Sequence, residues 1–251
     1  MDALRFVAVS RSFGAVTALR DAEFSLGEQR IVGLIGDNGA GKTTLIRLAA
    51  GILLPSSGQV FTLGRAATRE DSWLMSRLGA LIESPGHYEE LSVEENLCFF
   101  YSFYHSESDK RGVVREIVRS AIGEFGLASV ARTAVGTLSS GYRQRLAIAR
   151  ALHPWARVIL LDEPFLSLDP DVRSEVKDLL RKRASAGSLV LFSSHTLADV
   201  ERLADEVLLL VSGRMHRFES FAAIRGCVGA SPAEDLDVVY SMLKKRLTLS
   251  S

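Results

Sequence analysis

One octapeptide limits what this chain can fold into: Gly36-Asp37-Asn38-Gly39-Ala40-Gly41-Lys42-Thr43, a glycine, four residues, then Gly-Lys-Thr. The apolar run Ile31–Ile35 before it reads as a buried strand, and Thr44–Ala50 after it reads as a helix. Glycines let a backbone bend so that several N–H groups point inward at a phosphate chain. A helix start adds unpaired donors and the positive end of its dipole. Lys42 would bring a point charge to the β- and γ-phosphates, and the Thr43 hydroxyl would ligate Mg²⁺. Asn38, Gly39, Gly41 and Thr44 complete the expected nucleotide contacts. A turn that merely joins strand to helix is the bland alternative; the full pattern in its strand–helix context outweighs it.

At 251 residues, with 47% hydrophobic and 24% charged side chains, the chain is long enough for a sizeable core. Thirty basic residues balance thirty acidic ones, so nothing in the charge asks for a nucleic-acid partner. Cys98 and Cys227 match no metal spacing and read as reduced thiols. The N-terminus shows no secretory signal, and no apolar run reaches a membrane span. The expected location is cytoplasmic, with any membrane attachment supplied by another chain.

Residues 5–26 alternate in places and predict two antiparallel strands joined near Phe13-Gly14. Phe13 could stack on a purine, although from this segment alone a buried turn residue is favoured. Strands are expected at 59–63 and 78–82, with a short helix at 71–76 between them. Residues 86–156 read as mostly helical, and Ser92 with Glu95 forms a capping-box signature. The aromatics that follow, out to Tyr104, suit either core packing or a docking surface for a partner helix.

Two further segments carry chemistry. Arg157–Leu161 is an apolar strand ending in Asp162-Glu163, and such strand ends hold ligands in parallel α/β sheets. Asp162 would help hold Mg²⁺, and Glu163 would orient and polarise an attacking water. The buried strand 188–193 ends just before His195, in line with the acid pair and so a candidate phosphate or water contact. Leu138-Ser139-Ser140-Gly141-Tyr142-Arg143-Gln144 opens a helix whose Ser139 and Gly141 N–H make a second anion-binding end. A helix follows Asp169-Pro170, then a hairpin around Ser212-Gly213, then one helix at about 234–246.

In order and spacing these elements resemble the nucleotide-binding subunit of an ATP-binding cassette (ABC) transporter over about residues 3–218. Gly36–Thr43 is similar to the Walker A loop, Leu138–Gln144 to the LSGGQ signature, and Ile159–Glu163 to Walker B with its catalytic glutamate. Leu168-Asp169 fits the D-loop, His195 the switch histidine, and Phe13 the aromatic that stacks on adenine. The resemblance implies an α/β fold: a P-loop NTPase core with a mostly parallel sheet, an N-terminal antiparallel β subdomain and an inserted helical subdomain at about 86–156. These fall within residues 1–220, leaving 221–251 as a short helical tail.

It also implies ATP and Mg²⁺ as ligands and hydrolysis by Glu163 and His195. Thr43, Asp162 and Glu83 would serve the metal, and Ser139, Gly141 and Asp169 would take part in nucleotide contact across a dimer. The implied partners are a second ATPase subunit, identical or not, and an integral membrane permease at the cytoplasmic face. An ABC-type ATPase of nucleic acid or ribosomes is the alternative. Three positions depart from the family pattern. Glu83 stands where the Q-loop glutamine is usual, Ser140 replaces a signature glycine, and Phe165-Leu166-Ser167 precedes the D-loop. The stretch Leu81–Gly86 is similar to that of antibiotic and peptide exporters, which tilts the expectation toward export.

Overall fold

The computed structural model describes residues 2–83, 86–104, 110–231 and 233–249. β1 (Asp2–Phe13) and β2 (Val16–Gly27) form the antiparallel hairpin expected at the N-terminus, with Phe13 opposite Val16. β3 (Arg30–Gly36) leads through the glycine loop into α1 (Lys42–Ala49). β4 (Ser57–Thr62) and β5 (Arg65–Ala66) return to β1, completing a four-stranded sheet in the order β2-β1-β4-β5.

After α2 (Ser72–Met75), β6 (Leu78–Leu81) opens the run of strands that joins β3 in a second sheet. α3 (Val93–Tyr104), α4 (Lys110–Glu124) and α5 (Ser140–Ala151) separate it from β7 (Val158–Leu161). α6 (Pro170–Ser185) precedes β8 (Leu189–Ser193), and α7 (Leu197–Leu203) precedes β9 (Glu206–Val211) and β10 (Arg214–Phe218). The sheet order is β10-β9-β3-β8-β7-β6, parallel throughout except for the β10 edge.

Strand alternation sorts the side chains of this sheet into two cores. Val32, Leu34, Leu160 and Leu191 face the β-hairpin sheet and α1. Ile31, Ile35, Ile159 and Phe192 face the helices. Both β3 and β7 are central strands buried on two faces, which is why they read as continuous apolar runs.

The capping box forms: the Ser92 N–H donates to Glu95 Oε2 (2.8 Å), and the Glu95 N–H donates to Ser92 Oγ (3.3 Å). Helical geometry divides the aromatic run between its two readings. Tyr101 is fully buried with its hydroxyl on the Ala149 carbonyl (2.7 Å), whereas Phe103 is 67% exposed. The expectation for the tail needs correction, because it holds two helices, α8 (Phe221–Val228) and α9 (Leu236–Leu249), not one. α8 is short and carries Gly226, so its pattern is weak. Ser220 nevertheless caps it by accepting from the Ala223 N–H (3.1 Å), and Phe221 and Ile224 anchor it in the core.

Candidate active site

The loop between β3 and α1 closes on a position that only glycine fits. Gly41 has φ 108°, and a Cβ there would lie 2.5 Å from the Ala18 carbonyl oxygen of β2. Lys42 is buried, and its Nζ donates back across the loop to the carbonyls of Gly36 (2.7 Å) and Asp37 (3.2 Å). Asp37, exposed on the outer side of the loop, is held below the usual carboxylate range, first by a hydrogen bond from Lys244.

Parallel pairing brings the acid pair to the loop. β7 lies two strands from β3, with β8 between them. A side chain from β8 spans the gap: Ser193 Oγ donates to Asp162 Oδ1 (2.5 Å) and accepts from the Glu163 N–H (2.9 Å). Thr43 Oγ1 donates to the other carboxylate oxygen, Asp162 Oδ2 (2.6 Å). Ser193 was not singled out by sequence reasoning. A serine closing an apolar strand beside His195 was its only local signal.

Glu163 sits at φ 49°, a left-handed conformation that costs a non-glycine residue about 1 kcal/mol or more. Its Oε2 accepts from His195 twice, from the backbone N–H (3.3 Å) and from Nδ1 (2.8 Å). A carboxylate oxygen accepts, so the Nδ1 of His195 carries the proton.

Phe13, Asn38, Gly39, Gly41, Lys42, Thr43, Thr44, Asp162 and Glu163 line one cavity of about 410 Å³. Phe13 is 45% exposed at its mouth, so the buried-turn reading of that residue is corrected. The Thr43 hydroxyl and the Asp162 carboxylate are hard oxygen donors suited to Mg²⁺. Among the described residues no cluster of three or more His, Cys, Asp or Glu could cage a metal alone.

Glu83 is not brought into that lining. Its carboxylate forms an ion pair with Arg47 of α1, and its backbone is left-handed at φ 57°. Ser139, Gly141 and Asp169 line a different cavity, of about 160 Å³, with Tyr142, Arg145, Leu168 and Val172. Ser139 caps α5 by accepting from the Tyr142 N–H (3.4 Å), and Gln144 Nε2 donates to the Pro164 carbonyl (2.9 Å), tying α5 to the segment after Glu163. The phosphate-loop residues and the Ser139, Gly141 and Asp169 group thus do not share a cavity.

Comparison with known proteins identifies the family. The sequence model of the ABC transporter family matches residues 19–166. The uncharacterized ABC transporter ATP-binding protein YdbJ of Bacillus subtilis is 35% identical, over 84% of this chain and 67% of its own length. The bacitracin transport ATP-binding protein BcrA of Bacillus licheniformis is 31% identical, over 82% of this chain and 66% of its own. The chain thus spans about two thirds of the length of each relative. A solved ATP-binding subunit of an ABC transporter superposes with a TM-score of 0.85 at 27% identity, covering 96% of this chain and 98% of that one. Cassette fold, phosphate loop, acid pair and family match converge, and the chain belongs to the ABC transporter family as one of its ATP-binding subunits.

Proposed function

We propose that this subunit hydrolyses ATP and so drives a separate membrane permease, in the direction of export. The observation that carries the reading is that the phosphate-loop residues and Ser139, Gly141 and Asp169 line different cavities on one chain, as two half-sites would. Two such subunits paired head to tail place each ATP between the phosphate loop of one and Leu138–Gln144 of the other. Lys42, Thr43 and Asp162 then hold the phosphates and Mg²⁺, and Phe13 stacks on the base. Bound Mg²⁺ supplies charge neutralisation on the phosphates.

Lys42 has to leave the Gly36 and Asp37 carbonyls to reach the phosphates. Glu163 likewise has to share or release His195 Nδ1 to accept a water proton, which frees the imidazole to face the γ-phosphate. Ser139 and Gly141 reach the partner's nucleotide, and Asp169 stands beside them. The tilt toward export rests on the Leu81–Gly86 stretch. Among the described residues no helix is long and apolar enough to cross a membrane. The separate permease and the cytoplasmic face are read from the family membership. The balanced charge gives no support to a nucleic-acid role.

The test is purification of the tagged chain in mild detergent from the cells that make it. A polytopic membrane protein that co-purifies and stimulates ATP turnover is the expected result. Recovery of RNA or ribosomal protein in its place would overturn the proposal.

A further inference from the structure

The C-terminal helix returns to the phosphate loop. Val239 and Leu243 of α9 are fully buried in the helix-side core, where α9 packs on α7, α8 and β9. One residue further along, Tyr240 and Lys244 share another face at the same four-residue spacing. The Tyr240 hydroxyl donates to Asp37 Oδ1 (3.2 Å), and the Lys244 ammonium forms an ion pair with Asp37 Oδ2. Tyr240 and Asp237 also close a cavity of about 190 Å³ against Gly36, Asp37 and His195, which adjoins the nucleotide cavity at Asn38.

The chemistry of Asp37 explains why such a contact matters. Its carboxylate stands one residue from the nucleotide-facing part of the loop and within electrostatic reach of Lys42. An unmatched negative charge there competes with phosphates for Lys42 and repels a polyphosphate. The loop also loses internal ties when Lys42 turns outward, because two of them are the Lys42 bonds to Gly36 and Asp37. The α9 contacts are made by the other side of Asp37 and do not depend on where Lys42 points.

We infer that Tyr240 and Lys244 are positioning residues for nucleotide binding, which neutralise and tether Asp37 so that the loop and Lys42 are left to the phosphates. The inference rests on the nucleotide reading of the loop. It makes the C-terminal helix a part of the ATP site that acts through charge and touches no nucleotide.

The test is equilibrium binding of Mg-ATP and Mg-ADP to the full chain, comparing wild type, Lys244→Met, Tyr240→Phe and the double variant Asp37→Asn/Lys244→Met. At low ionic strength Lys244→Met should weaken binding by roughly three- to tenfold, and Tyr240→Phe by about twofold. The double variant should return to within about twofold of wild type, because the charge that Lys244 answers is gone. The gap between wild type and Lys244→Met should narrow as salt is raised. If wild type binds no ATP, the nucleotide reading itself fails. If wild type binds and Lys244→Met binds equally well, the inference alone is overturned. If Lys244→Met is weakened and Asp37→Asn gives no rescue, α9 only supports the fold and the charge argument is wrong.

Discussion

At the scale of single residues, the site is set by which groups hold Glu163 still. Its left-handed backbone is fixed by the Ser193 hydroxyl on its N–H, and its carboxylate is fixed by His195. The same serine orients Asp162, so the acid proposed for the metal and the acid proposed for the water are both held by one β8 side chain. Glu163→Gln keeps the shape and hydrogen bonding of the side chain but removes the ability to take a proton. It should retain ATP binding, lose at least about a hundredfold in turnover, and accumulate as an ATP-loaded dimer. Turnover by phosphate release, with size-exclusion chromatography in Mg-ATP, checks this. Wild-type turnover in that variant would mean that Glu163 is not the base.

At the scale of elements, the helical part of the chain meets the sheet at a contact that tolerates no side chain. Gly79 on β6 faces the end of α5, and an added Cβ would lie 1.7 Å from the Ala151 carbonyl oxygen. The clash is with backbone, so one of the two elements must move. Gly79→Ala should cost about 3 kcal/mol or more, seen as a lower midpoint in denaturant unfolding, with a nucleotide affinity that falls as β6 and β7 shift. Elements like these were legible where the signal was local. The strand before the phosphate loop, the Ser92/Glu95 capping box and the acid-terminated β7 each carry their pattern within a few residues. α8 was missed because eight residues with a central glycine give too little periodicity, although Ser220 and Gly229 marked its ends. The contacts of Asp37 with Tyr240 and Lys244 span more than two hundred residues of sequence, and the Arg47–Glu83 pair joins two separate motifs. No local period encodes such pairings; they exist only once the sheet has set the register.

Over the whole molecule, stability depends on joining the helices to the sheet, and a buried histidine sits at that joint. His153, at the end of α5, is fully buried, stacks on Tyr104 with ring centroids 4.0 Å apart, and donates from Nε2 to the Leu78 carbonyl of β6 (3.2 Å). Burial holds its pKa down at about 4, against 6.5 for an ordinary imidazole. His87, partly buried beside the Arg150 guanidinium, is likewise lowered to about 4, first by burial and then by that charge. As pH falls, the unfolded chain takes up these protons before the folded one does. The stability they represent is therefore complete above the unfolded pKa and is lost progressively as pH drops from about 6.5 toward about 4. For His153 the full loss is roughly 3 kcal/mol. Denaturant unfolding between about pH 7 and about pH 5, above the range where most carboxylates titrate, should show stability falling with acid. His153→Phe keeps the stacked ring and removes the titrating group, so its curve should be flatter by up to about one proton, whatever its stability at neutral pH. A slope unchanged by that variant would mean that His153 is not held neutral at the joint and that the acid sensitivity arises elsewhere.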